Sequence, residues 1–226
     1  MRSSTAILTL RTLHYWTIQA NGQKWEDFLN DVFVQLEKNK ITDLIIDMRN
    51  NHGGHDVLGM LMMSHLHDAA FNYYKKRSSL LKPRGKVIKA GNIYEIEGRG
   101  EWTGEVRPIK PLFQGKVYVL MNGYCASAAG EFIGQLKNAN RATFIGEEAG
   151  GNPVIFMGGQ TVRVDLPNTH MTGFLPFVLV EMDVRMKNTG HGVLPDHEVV
   201  PTIAEILAEK DVMMEFALKL IEETKK

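Results

Sequence analysis

A single cysteine, Cys125, stands in 226 residues. No internal disulfide can staple the fold, and redox compartment is not readable from cysteine pairing. Long apolar runs are also missing: no stretch approaches the ~20 residues that a membrane-spanning helix needs. Nor does the N-terminus read as a signal peptide. After Met1–Ser4 the segment Thr5–Leu13 reads directly as a strand, with no cleavage pattern behind it. Excess charge of one sign is absent, because 26 Lys and Arg face 26 Asp and Glu. That balance gives no global field for nucleic acid or an acidic membrane. No repeat, low-complexity tract or linker interrupts the chain. What is present is 44% hydrophobic and 23% charged, enough to fill a sizeable core in one domain. The densest basic stretch, from Lys75 to Lys89, also contains Pro83 and Gly85 and reads as a solvated loop.

The apolar pattern alternates between strands and helices. Ala6–Leu10 is a short β-type run, and Trp25, Phe28, Leu29, Val32, Phe33 and Leu36 form one stripe of an amphipathic helix. Asp43–Met48 is a buried strand that breaks at Asn50-Asn51-His52-Gly53-Gly54, before a helix with Val57, Leu58, Leu61 and Met62 on one face. Residues 75–115 read as a loop with short strands or a small β excursion. Lys116–Asn122 is a strand, followed by a helix from about Ser127 to Lys137; Arg141–Gly146 is a strand ending in another Gly-rich turn. Gln160–Leu166 and Phe177–Arg185 are expected strands. Thr202-x-x-Glu205 is a capping box, and the final helix carries Val212, Met213, Phe216, Ala217, Leu220 and Ile221. Repeated strand–turn–helix units predict an α/β domain with crossover connections, in which permissive turns after buried strands are the places for a site.

Two of those turns carry chemistry. Ser127 lies where a strand hands over to a helix, among Ala and Gly residues that let a substrate backbone approach. The free N–H groups of the helix's first turn would favour developing negative charge beside it. This is the logic of a nucleophile elbow, although G-x-S-x-G is absent. The plainer alternative is that Ser127 merely caps the helix; Glu131 stands one residue too far to complete a capping box. The Gly53–Gly54 pair ending the Asp43–Met48 strand exposes unscreened backbone N–H groups suited to an oxyanion, or is simply a tight turn.

Four segments taken together resemble a known family. Asp43–Gly54 (DLIIDMRNNHGG) is similar to the D-L-R-x-N-P-G-G region of tail-specific and tricorn-type serine peptidases. Asn122–Phe132 (NGYCASAAGEF) resembles their S-A-A-E-E nucleophile segment, and Arg141–Asn152 (RATFIGEEAGGN) their R-A-x-x-V-G-E-x-T-x-G segment. Gly190–Val199 (GHGVLPDHEV) is similar to their closing G-V-x-P-D. The resemblance implies a crotonase-like (ClpP-like) spiral β-β-α core. It implies Ser127 as nucleophile, with an oxyanion hole from the backbone N–H groups of Gly53, Gly54 and Ala128. It also implies a polypeptide substrate docked as an added strand, no cofactor, and a periplasmic or cell-envelope location.

The resemblance departs from the family at the base. The tail-specific branch places a lysine 25 residues after the serine, and here that position is Asn152. The tricorn-like branch takes a histidine from an upstream domain, so residues 1–226 read as a single peptidase core within a longer protein. The acidic residue expected near G-V-x-P-D is replaced by Lys187, Asn188 and Thr189, and His52 stands where the family has proline. Of His14, His52, His55, His191 and His197, His52 is the in-chain candidate for a base. His52-x-x-His55 in a turn, and His65 and His67 two apart on a helix, do not give a metal site. The rival readings are a catalytically silent peptide-binding scaffold of the same fold and, more distantly, thioester chemistry.

Overall fold

The computed structural model describes residues 4–82, 87–96 and 104–225. In chain order the first half contains β1 (Thr5–Thr9), α1 (Tyr15–Ala20), α2 (Trp25–Lys38), β2 (Asp43–Asp47), α3 (Asp56–Ser64), β3 (Phe71–Asn72), β4 (Tyr74–Ser79), β5 (Val87–Ala90) and β6 (Ile93–Ile96). The second half contains β7 (Glu105–Val106), β8 (Lys116–Met121), α4 (Ala128–Asn138), β9 (Thr143–Gly146), β10 (Ile155–Asp165), β11 (Thr172–Met182), β12 (His197–Glu198), α5 (Ile203–Leu207) and α6 (Val212–Glu223). It is a mixed α/β fold. Its centre is a five-stranded parallel sheet in the order β1-β2-β8-β9-β12.

The central strands are apolar because helices cover both faces. Leu44, Ile46, Val119 and Phe144 pack under α2, α3 and α4, with Phe33, Met62 and Phe132 interleaved. On the other face Ile45, Tyr118, Leu120 and Ile145 pack against Met213, Ala217 and Ile221 of α6. Each fully buried aliphatic or aromatic side chain contributes on the order of 1.5–3 kcal/mol. The register then decides where the turns go. Thr9, Asp47 and Leu120 lie side by side across β1, β2 and β8, and Met121 pairs with Gly146 of β9. Parallel strands in this register end at one edge, so the turns at 50–54, 122–127 and 147–153 leave the sheet next to one another.

A second sheet, in the order β10-β11-β4-β6-β5, is antiparallel. It meets α3 through Met60, Tyr73, Val178, Val180 and Met182. The basic stretch read as a loop is therefore largely strand: β4 pairs with β11 and β6, and β5 with β6, while Pro83 and Gly85 lie outside the described residues. The strands expected at 160–166 and 177–185 are two arms of one long hairpin that starts earlier in each arm. Gly158 and Gly159 concealed the first arm; there the register shifts, and Gly159 takes φ +73°. The first strand is shorter than expected, because β2 offers partners only from Asp43 to Asp47. Beyond it Leu13 makes a single parallel bridge to Gly54, and His14 precedes the unforeseen α1. The Thr202–Glu205 capping box forms as its spacing requires.

One ion-pair network ties the sheet to its last helix. Arg49, two residues past β2, donates from Nε to Asp47 (2.8 Å) and from Nη1 and Nη2 to Asp211 (2.6 and 2.8 Å). Asp211 also accepts from the Met214 N–H as the N-cap of α6. Hydrogen bonds from Arg49 hold the Asp211 carboxyl below the usual carboxylate range. A lowered carboxyl stabilises the fold above the unfolded range, and that contribution is lost as pH falls through the folded value. Urea unfolding measured from pH 6 down to pH 3 should therefore show Asp211→Asn losing part of the wild-type acid dependence below about pH 4, with little change in slope at neutral pH.

Candidate active site

Ser127 projects from the second of these turns, 122–127, in a conformation that few side chains adopt. Its φ is 52° and ψ −133°, it is exposed, and it precedes α4 without any side-chain capping bond. The simple capping role is thereby set aside: its carbonyl serves the helix, accepting from the Glu131 N–H at 2.9 Å, while its hydroxyl has no protein partner among the described residues. A non-glycine residue held at positive φ next to a helix start stores strain that surrounding contacts must hold.

Those contacts come from the Asn50–Gly54 turn. A methyl group at Gly53 would sit 2.6 Å from the Ala126 carbonyl oxygen, 2.8 Å from the Ala128 nitrogen and 3.0 Å from the Ser127 Cβ. Only glycine permits that approach, and at φ +91° only glycine is relaxed there. Asn51, fully buried, organises the turn: its side chain donates to the Leu10 carbonyl (2.8 Å) and accepts from the Gly53 N–H (2.9 Å). Asn50 and Asn122 exchange two hydrogen bonds, N–H to Oδ1 and Nδ2 to Oδ1, at 3.1 and 3.0 Å. The third turn closes the arrangement. The Gly150 N–H donates to the Cys125 carbonyl (2.9 Å), the Ala149 N–H to Val193, and the Gly192 N–H to Glu148.

The two glycines differ in what they have to offer. The Gly53 N–H is consumed by Asn51. Leu13 bonds Gly53 O and the His55 N–H on either side of Gly54, a pattern that turns the Gly54 N–H away from Leu13. Neither the Gly54 N–H nor the Ala128 N–H has an acceptor among the described residues. Beside Ser127 lies a cavity of about 230 Å³ that Glu131 and Asn152 also line. Asn152 reaches Asn188 through Nδ2 at 2.7 Å and accepts from the Val154 and Ile155 N–H groups. The structure thus joins the lysine-equivalent position to one of the residues standing where the acid was expected.

The histidines are scattered. His52 is exposed, with its ring edge-on to Tyr124 at 5.2 Å, and no hydrogen bond joins it to Ser127. His14 and His55 sit edge to face at 5.5 Å, and His55 Nδ1 accepts from the Tyr15 N–H. His191 meets Glu148, and His197 packs on Phe216. His65 stacks on Phe33, where burial lowers its pKa, and His67 lies against Phe71.

Sequence reasoning missed Glu131, which it weighed only as a failed cap. The carboxyl is buried, and its pKa is pushed up to about 8 by loss of solvation and then by the charge of Asp56. The Tyr74 hydroxyl lies 2.7 Å from Glu131 Oε2 and 2.9 Å from Asp56 Oδ2. One hydroxyl carries one proton, so a protonated Glu131 donates to Tyr74 and Tyr74 donates to Asp56. Its placement four residues after Ser127, one helical turn on, was the available signal.

The model of peptidase family S41 matches residues 11–199. The chain belongs to this family of serine-type peptidases. Solved structures agree on the fold. A putative peptidase from Parabacteroides merdae superposes with a TM-score of 0.59 at 18% identity, over 96% of this chain and 61% of that one. Mature CPAF bound to lactacystin gives 0.67 at 16% identity, over 96% and 50%. The tricorn protease gives 0.52 at 18%, over 99% and 18%. The S41 chain thus spans at most about three-fifths of these three proteins' lengths.

Two outcomes are expected. Gly53→Ala should destabilise the fold by about 2–5 kcal/mol in chemical denaturation, through strain and overpacking against Ala126 and Ala128. Glu131, raised from 4.5 to about 8, stabilises most below pH 4.5, and that contribution is lost as pH rises through 8. Wild-type stability should fall between those values by up to ~1.4 kcal/mol per pH unit, and Glu131→Gln should flatten that slope.

Proposed function

We propose that this chain is the peptidase core domain of a serine endopeptidase that hydrolyses polypeptides through an acyl-enzyme on Ser127. The observation that carries this reading is the exposed, uncapped Ser127 at φ 52° beside the N–H groups of Ala128 and Gly54, which have no acceptor among the described residues. Ser127 Oγ attacks the scissile carbonyl, its proton passes to a general base, and the amine leaves with a proton; water then releases the acyl group. The Ala128 and Gly54 N–H groups bind the oxyanion as it develops. Gly53 serves differently from the expectation that both glycines donate: it supplies close approach, and its N–H orients the turn through Asn51.

The base is a histidine from a segment upstream of this core, with His52 as the in-chain alternative. Asn152 supports an external base, because an amide engaged with Asn188 takes no proton. The parallel sheet with its crossovers supports a crotonase-like (ClpP-like) spiral, and the family supports an exported, envelope-associated protein acting on an extended chain or tail. No helix among the described residues is long and apolar enough to cross a membrane. The second reading, a silent peptide-binding scaffold, is favoured by the same Asn152–Asn188 pair.

A fluorophosphonate probe separates the two. The protein carrying its upstream sequence should label, and Ser127→Ala should abolish labelling. Absence of labelling, where a control serine hydrolase reacts, would leave the scaffold. The 226-residue chain alone should label at least tenfold more slowly, since base assistance contributes about 10²–10⁴-fold; rapid labelling would place the base within it.

A further inference from the structure

The cavity beside Ser127 has walls made largely of backbone, from Gly130, Gly150, Gly151 and Gly158. Phe156 and Met157 add an apolar side. Among the described residues no lysine, arginine or histidine lines it, and the ionisable group that does is Glu131. Its Oε2 is engaged with Tyr74. Oε1 has no hydrogen-bond partner among the described residues, and Glu131 forms part of the cavity wall.

The charges around Glu131 do not balance. Asp56 faces it from α3, and Arg77 and Tyr74 face it from β4, with Tyr73 just before that strand. Arg77 Nη1 is 3.4 Å from Asp56 and its guanidinium lies over the Tyr74 ring, 5.1 Å from the centroid. The two carboxyls thus share one cation, already turned toward Asp56. The Tyr73 hydroxyl, fully buried, has no partner among the described residues and supplies no charge. The deficit is met by a proton on Glu131.

We infer that this cavity is the subsite for a lysine side chain of the polypeptide substrate, with its methylenes along Phe156 and Met157 and its ammonium on Glu131 Oε1. The assignment rests on Ser127 being the nucleophile, because that is what makes the neighbouring cavity a substrate subsite. Lysine fits better than arginine: one carboxylate oxygen is presented, which suits a compact ammonium, whereas a guanidinium fork uses both. The exchange balances: the neutral carboxyl and the ammonium give carboxylate, bound ammonium and one proton released to solvent.

Calorimetric titration tests this without requiring turnover. Two tetrapeptide amides that differ only in lysine or norleucine at one position are titrated at pH 7 into the intact chain, in buffers of different ionisation enthalpy. The lysine peptide should bind at least tenfold more tightly and release a substantial fraction of a proton, because burial holds the Glu131 carboxyl protonated near neutral pH. The norleucine peptide should release none. Glu131→Gln should lose both the preference and the release. Equal binding of the two peptides, lysine binding without proton release, or retention of both effects in Glu131→Gln would each overturn the assignment. The wild-type comparison decides even if the variant fails to fold. Fluorophosphonate labelling of Ser127 on the protein with its upstream sequence separates the failures. Labelling without lysine preference removes the subsite and leaves the nucleophile; lysine binding without labelling removes the nucleophile and leaves a cation site.

Discussion

The backbone of Gly53 lies against the backbone of Ala126–Ala128, with no side chain between them. Two parallel strands, β2 and β8, deliver these segments to the same edge of the sheet, but delivery alone leaves them a side-chain width apart. Removing the side chain lets the turns touch, and the contact holds Ser127 at its positive φ. Asn51 fixes one turn through its buried side chain, and the Cys125 thiol donates to the Met48 carbonyl at 3.1 Å from the other. Gly150 fits because a methyl there would stand 2.1 Å from the Gly123 carbonyl oxygen. The site is therefore a set of backbone contacts, with few charged groups holding it.

Two clusters in this protein have the same chemical inventory and opposite behaviour. Each contains two carboxyls and one arginine. In the Asp47–Arg49–Asp211 cluster the arginine bonds both carboxyls closely, Asp211 stays partly in water, and its pKa falls. In the Asp56–Arg77–Glu131 cluster the arginine is at the limit of hydrogen-bond distance from one carboxyl and the other is buried, so its pKa rises. Desolvation outweighs charge pairing in the second and loses to it in the first. The first cluster fastens α6 to the sheet. The second stands one helical turn behind Ser127, at the wall of the cavity where substrate would lie.

Much of the architecture was legible because burial leaves a periodic trace. The stripe from Trp25 to Leu36 and the uninterrupted Asp43–Met48 run each correspond to an observed element. The Gly53–Gly54 pair and the small residues around Ser127 pointed to the two turns that meet. The first hairpin arm was read short because glycines at 158–159 break the alternation while the strand continues through an irregular register. The stretch after Lys75 was read as loop because three adjacent charges, Lys75–Arg77, and the nearby Pro83 and Gly85 leave no apolar alternation to mark a strand. α1 follows from His14 leaving the sheet once β2 has no partner left to give, which no local pattern announces.

The sequence by itself determined the family, the α/β class and the two turns from which a site could be built, since these follow from hydrophobic spacing, glycine placement and motif order along the chain. Tertiary structure decided how those pieces act. It consumed the Gly53 N–H with Asn51 and left that of Gly54 without an acceptor among the described residues. It paired Asn152 with Asn188, and it buried Glu131 with the Tyr74 hydroxyl bridging it to Asp56. Hydrogen-bond partners and solvation depend on residues distant in sequence, so a motif can name a donor or an acid but cannot say whether it is free, paired or protonated.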